Sequence, residues 1–355
     1  LHKEYRRQRQ MCIRDRVNDI IEEIKKGLTG NASHDANYLH DQAMKYRNHE
    51  NSEEILRILS DMTFDLLPDD KKEALHNAMF IGDKRIDQAY NEVNNLFKNR
   101  KLDEAAELMS KIEKQADTYF DHTEKTKKYS FRNRFDEYLF VELYKPEKQY
   151  ERTPFDFCTY LAFYGYILVE MKKPEEAVRV LEKAIKYNPV NTGPRFEMAE
   201  CYKVLRNPEK LFECVKETLK IASTPADIAR CYCNLGYYCI DIKDYDSAVC
   251  FYYNSMLYVP NDNIKGELQH ISMLTKKPIT PPSKEDILKA FEKYNLHHGP
   301  SQVVINMAYS LGEYCVEHNA RPEESIYYYS IAYNLTRNED IKQKIDKLSA
   351  QIKKQ

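Results

Sequence analysis

The chain of 355 residues contains no tryptophan and only 9 glycines. Globular domains average near 7% glycine, and tight strand-to-strand turns depend on its left-handed backbone freedom. A chain this poor in glycine can build few such turns. The common phosphate loops are excluded as well, because neither GxGxxG nor GxxxxGK[ST] occurs. No GxSxG elbow and no CxxC pair are present, so the local signatures of a serine-hydrolase nucleophile and of structural zinc are missing. Neither sign of charge dominates: 54 basic residues stand against 56 acidic ones, a formal net charge of -2. A nucleic-acid binder would carry a basic excess, and a membrane-surface helix would be Lys- and Arg-rich on one face. The uncharged run Phe157 to Val169 is thirteen residues long, short of the about 20 that span a bilayer.

The first sixteen residues are basic and lack the apolar segment of a signal peptide. Within them, Arg9-Gln10-Met11-Cys12-Ile13-Arg14-Asp15 resembles a peptide produced when sequencing adapter is read as coding DNA. Residues 1–16 are therefore expected to be non-native and disordered, with the true N-terminus missing; the alternative is a genuine basic arm. Nine cysteines, an odd number, are scattered through helical patterns. Without an export signal they are expected to be free thiols in a reducing cytoplasm.

What is abundant is apolar periodicity of about 3.6 residues. Val17, Ile20, Ile21, Ile24 and Leu28 mark one helix face, and Asp35 to Arg47 reads as a second helix. Ser52 is expected to cap a third, ended by Pro68. Helical patterns continue over Lys71 to Phe80, Lys84 to Asn99 and Leu102 to about Thr123. Between Lys127 and Pro154 the chain turns aromatic and β-branched, with Tyr129-Ser130-Phe131 and Tyr138 to Tyr144. A hairpin, an irregular connector and one poor helix all remain open there.

From residue 158 a period of about 34 appears, the length of a two-helix unit. Leu161, Tyr164, Gly165 and Leu168 are followed by Ala177, Leu181, Ala184 and Pro189. The frame recurs at Tyr232, Leu235, Gly236, Cys239, Ala248, Tyr252, Ser255 and Pro260. A weaker copy holds Met198, Ala199, Tyr202, Leu211, Val215 and Thr218. A late copy has Ala308, Leu311, Gly312, Cys315, Ser325, Tyr329 and Ala332, with one extra residue in its turn. An early, loose copy holds Ala89, Val93, Leu96, Ala105, Met109 and Ile112. Small residues at fixed positions let the two helices of a unit approach closely, and each unit leaves an apolar face that its neighbour must cover.

On these residues the sequence resembles the tetratricopeptide repeat family, of bacterial type. The resemblance implies an all-α fold, a right-handed superhelical stack of helix-turn-helix repeats. The expected organisation is a non-native N-terminus (1–16), an N-terminal helical region with one degenerate repeat (17–126), an irregular connector (127–157), the repeats (158–337) and a capping helix (338–355). Ser283 with Asp286 reads as a capping-box-like start within the irregular stretch between Val259 and Pro300.

No catalytic residue, metal site or cofactor is expected. Cys231 and Cys233 project about 200° apart on a helix, and buried cysteine usually serves as a small hydrophobe. His297-His298 lacks partners at metal spacing. Binding is the stronger expectation. In the resembled family the first helix of each unit lines a concave groove. Carried over by position, this selects Tyr166, Glu170, Phe196, Glu200, Lys203, Arg230, Tyr237, Asp241, Tyr309, Glu313 and Glu317. The Lys and Asn set that clamps a chaperone's C-terminal carboxylate in some members is replaced by Ala162, Tyr166 and Glu197. The expected partner is another protein or peptide, with no nucleic acid and no membrane. A competing expectation is that the tyrosines merely pack at unit junctions. For the whole chain the alternatives are a peptide-sensing regulator of an output domain and an accessory region of an enzyme whose catalytic part is missing.

Overall fold

Glycine scarcity leaves its mark on the helix ends. The left-handed residue that closes a helix is usually glycine, but here Arg100, Lys172, Arg206, Lys243 and Asn319 take it, with φ between 50° and 63°. Each follows the first helix of a hairpin. In all five the next residue donates its N–H back five positions, as Lys173 does to Leu168 at 2.9 Å and Ala320 to Cys315 at 2.9 Å. Proline then opens the second helix at Pro174, Pro208 and Pro322, where its missing N–H costs nothing. The extra residue expected in the last of these turns is Arg321, the N-cap of its helix.

The computed structural model describes residues 17–352 except 48, 50, 121–125 and 148. The expectation for residues 1–16 lies outside them. The chain forms two compact units, parting between Arg85 and Ile86. The first unit holds α1 (17–25), α2 (Ala32–Lys45), α3 (Ser52–Asp65), α4 (Asp69–Met79) and a two-residue antiparallel pair, β1 (Phe80–Ile81) and β2 (Lys84–Arg85). Val17, Ile21, Ile24, Leu39, Ile55 and Leu59 make its core. Asn31 caps α2 by accepting from the Ser33 and His34 N–H groups. The expected cap Ser52 is instead the first residue of α3, after Asn51.

The second unit is a stack of helical hairpins. Its pairs are α5 (Ile86–Lys98) with α6 (Leu102–Phe120), α8 (Phe157–Glu170) with α9 (Pro174–Tyr187), α10 (Thr192–Val204) with α11 (Pro208–Leu219), α12 (Pro225–Asp241) with α13 (Tyr245–Met256), and α16 (Gln302–Glu317) with α17 (Pro322–Thr336). The loose early copy thus closes with the same turn as the others. Its Ala89, Val93, Ala105, Met109 and Ile112 are all buried. Close approach is made by glycine where the sequence places it. A Cβ at Gly165 would stand 2.5 Å from Leu181, one at Gly236 2.8 Å from the Tyr252 ring, and one at Gly312 2.6 Å from the Tyr329 ring. α14 (Asn263–Thr275) and α15 (Lys284–Lys293) both rest on α13, and α18 (Glu339–Ile352) covers α17. The capping box of Ser283 and Asp286 is formed in full.

The aromatic connector settles into one of the open alternatives only in part. β3 (Thr126–Tyr129) and β4 (Gln149–Arg152) pair in parallel, and Tyr138 to Tyr144 belongs to α7 (Arg134–Tyr144), the crossover between them. The reason is tertiary. Asn188, buried after α9, donates to the Asp136 carboxylate at 2.8 Å and to the Ser130 carbonyl at 3.2 Å. Arg132 closes a bidentate pair on Asp136 at 2.7 and 2.8 Å. α7 also lies against α16, and Phe135 meets Tyr328 of α17 with ring centroids 6.4 Å apart.

Candidate functional site

The second unit brings five of the eleven expected groove residues together, all from α10 and α12. Asn191 caps α10 by accepting from the Gly193 N–H, and Thr224 caps α12 by accepting from Asp227. On the facing turns Lys203 pairs with Glu200 at 2.9 Å, and Arg230 reaches Glu197 at 3.4 Å and Glu200 at 3.8 Å. Arg230 also lies 4.6 Å above the Phe196 ring, and the Lys203 ammonium 5.1 Å from the Tyr237 ring centre. Burial holds the Glu197 carboxyl above the ordinary range, and Arg230 only partly offsets it. Burial, aided by the charge of Asp241, raises the Tyr237 hydroxyl.

A cleft of about 500 Å³ opens beside this network. Glu200, Lys203 and Arg230 line it, together with Ala226, Ala229, Cys233 and Asn234 of α12 and the stretch from Ser255 to Asn263. Asn234 was not among the expected residues. It is 2% exposed, and its side-chain nitrogen has no hydrogen-bond partner. An unpartnered buried donor costs roughly 1–3 kcal/mol, so the fold retains a polar group that nothing among the described residues satisfies. Its sequence signal was its place beside Leu235 and Gly236, one residue before the packing pair, in a position composition does not single out.

The other six expected residues lie apart from this cluster, and one of its own five members is covered. Phe196 is not a presented ring: it is 5% exposed and roofed by Arg230. Tyr309 and Glu313 are taken by the last helix, because Lys344 of α18 pairs with Glu313 and lies 5.1 Å from the Tyr309 ring centre. Tyr329 donates its hydroxyl to Glu313 as well. These contacts engage two of the expected groove residues within the chain itself. The capping helix, drawn from the sequence as a lid on the open end, also reaches residues assigned to the groove. Tyr166 is 36% exposed and packs on Phe97 and Phe163, at 5.5 and 6.3 Å between centroids. Glu170, Asp241 and Glu317 are exposed at the ends of α8, α12 and α16.

The eight cysteines among the described residues are free, and all but Cys233 are buried. Burial pushes Cys201 and Cys239 up to about 12 and Cys214 and Cys250 up to about 11. They act as core residues. His298 stands edge-on to Phe291 at 4.9 Å, and burial lowers its pKa. No helix among the described residues is long and apolar enough to cross a membrane.

Residues 159–191 match the family model described as Tetratricopeptide repeat, which covers α8, α9 and the turn into α10. The other hairpins repeat that unit's turn and, at Gly236 and Gly312, its close contact. No curated protein matches the chain. Among solved structures, PilF of Pseudomonas aeruginosa is 16% identical with a TM-score of 0.29, covering 56% of this chain and 91% of its own. A chain of the Cut9–Hcn1 hetero-tetramer of the APC/C is 12% identical with a TM-score of 0.24, covering 88% of this chain and 66% of its own. Scores this low carry no weight for function.

Proposed function

We propose that this tetratricopeptide-repeat protein is a non-catalytic interaction scaffold that holds an extended peptide segment of a partner protein on the α10–α12 face. The observation that supports this most is the cleft in which Asn234 keeps an unsatisfied amide donor beside Glu200, Lys203 and Arg230. A peptide backbone carries an acceptor at every residue; the Asn234 nitrogen is itself buried, so a segment in the cleft becomes the partner it lacks when the Asn234 side chain turns toward it on binding. The half-buried Tyr237 adds apolar area with little rotamer entropy to lose.

The charges of Glu197, Glu200, Lys203 and Arg230 largely satisfy one another. The cleft itself therefore carries little uncompensated charge, and the exposed carboxylates Glu170, Asp241 and Glu317 lie apart from it. A neutral or mildly basic segment with apolar anchors is the expected ligand, and its binding weakens as salt rises.

The test is selection from a displayed library of short peptides, followed by affinity measurement on the parent, Asn234→Ala, and the Tyr166→Ala plus Tyr237→Ala double variant. Asn234→Ala should keep its stability within about 1 kcal/mol, since the amide nitrogen it loses was unpartnered. It should nonetheless bind selected peptides about tenfold more weakly. Loss of a central aromatic anchor typically costs about 2 kcal/mol or more. Folded variants that bind as the parent does would refute the cleft. A double variant that unfolds would show that the tyrosines serve packing.

A further inference from the structure

The aromatic connector builds a second concavity, remote in sequence from the α10–α12 cleft. It measures about 540 Å³, within the range of small-molecule sites. Its floor is aromatic: Tyr129 and Phe140 are buried, with centroids 4.5 Å apart, and Tyr144 stacks on Phe140 at 5.4 Å and 22°. Tyr144 is 47% exposed, so one aromatic ring remains open to a ligand.

The rim is cationic. Lys127 comes from β3, Lys145 from the end of α7 and Lys186 from α9, with Glu147 the carboxylate among the lining residues; Lys128 also lines the cavity but reaches Glu151 at 4.0 Å and lies 5.5 Å from the Tyr119 ring centre. Over the whole chain basic and acidic residues balance, with a formal net charge of -2. Here three separate segments deliver lysines around one apolar floor. The walls are fixed rather than loose. Asn188 bonds Asp136 of α7 and Ser130 beside β3, Ser130 donates its N–H to the Tyr187 carbonyl at 2.8 Å, and the two strands pair in register. Lys145 is the left-handed residue that closes α7, with a φ of 42°, as Lys and Arg close several other helices of this chain.

We infer that this cavity binds a small flat anion, an aromatic ring bearing a phosphate or carboxylate, with the ring against Tyr144 and the anion among the lysines. Neither half of the site suffices alone. An exposed tyrosine gives modest stacking, and exposed lysines give a screened attraction. A ligand with both features gains from both at one position.

The probe is 1-naphthyl phosphate, with 1-naphthol and inorganic phosphate as its two halves. The chain lacks tryptophan, so naphthyl fluorescence is read against tyrosine alone. The ester should bind at least tenfold more tightly than either half, and more weakly as salt rises. Lys127→Gln combined with Lys145→Asn should weaken the ester at least tenfold while leaving naphthol unchanged. Asparagine tolerates the left-handed backbone, and both lysines are exposed, so the melting temperature should hold. Tyr144→Ala should weaken ester and naphthol alike. The inference is overturned if the ester fails to bind at millimolar concentration. It is equally overturned if naphthol or phosphate matches the ester, or if the folded lysine variant binds it as the parent does.

Discussion

Gly236 offers a sharp test of the hairpin packing, because two physical effects of opposite sign meet there. In mid-helix, replacing glycine by alanine gains about 1 kcal/mol in helix propensity. At Gly236 the added Cβ would lie 2.8 Å from three atoms of the Tyr252 ring. Tyr252 is 3% exposed, so the ring has little room to retreat, and overpacking a core contact typically costs about 1–3 kcal/mol. Gly266 supplies the control. It also lies inside a helix, α14, but a Cβ there meets nothing within 4 Å. Gly266→Ala should therefore stabilise the protein by up to about 1 kcal/mol. Gly236→Ala should be worse than that control by about 1–3 kcal/mol, and Gly236→Leu worse again. Combining Gly236→Ala with Tyr252→Leu should recover stability beyond the sum of the single changes, by roughly 0.5–3 kcal/mol. Urea unfolding followed by helical circular dichroism, compared at one denaturant concentration, reads the parent and the five variants, Tyr252→Leu alone included, without assuming a single cooperative unit. If Gly236→Ala is as stabilising as Gly266→Ala, the ring does not rest on Gly236 and the hairpin packing described here is wrong.

Lys172→Gly and Arg206→Gly should each stabilise the protein by up to about 1 kcal/mol, since both residues hold left-handed backbone that only glycine adopts without strain; a fall in the unfolding midpoint of both would contradict the turn geometry. Glu113 of α6 accepts from Arg179 and Lys183 of α9. Its burial raises the pKa, but these bonds outweigh it and leave the carboxyl below its ordinary value. A depressed carboxyl contributes stability that is present above its unfolded pKa and lost as pH falls through the folded one. Acid titration of the melting temperature should accordingly be less steep in Glu113→Gln below about pH 4.5, at the cost of a less stable protein near neutrality. With the described thiols mostly buried and their pKa values raised, an aromatic disulfide reagent at pH 8 should label none of them rapidly in the native state except Cys233. Fast labelling of four or more would show that the stack opens.

Local physics made the hairpins legible. Proline at Pro174, Pro208 and Pro322, alanine or glycine at the close contacts, and the box of Ser283 with Asp286 are decided within one or two helical turns, so a single sequence records them. The same holds for the longer turn at Arg321. Its extra residue changes the spacing between Cys315 and Pro322 whatever else the chain does. The early copy over Ala89 to Ile112 was legible for the same reason, although its aromatic positions are degenerate.

Where each exposed-looking residue ends up depended on elements far away in the chain. Tyr138 to Tyr144 has the composition of a strand, yet it is helical, because Asp136 is bound by Asn188 and α7 has α16 to lie against. Phe196 is covered by Arg230 from the next unit, and Glu313 is paired by Lys344 from the last helix. Asn234 is buried beside the cleft without a partner for its amide nitrogen. Periodicity says which side of a helix is apolar. Burial and hydrogen-bond satisfaction depend on which atoms of other elements arrive at that side, and only the tertiary structure decides that.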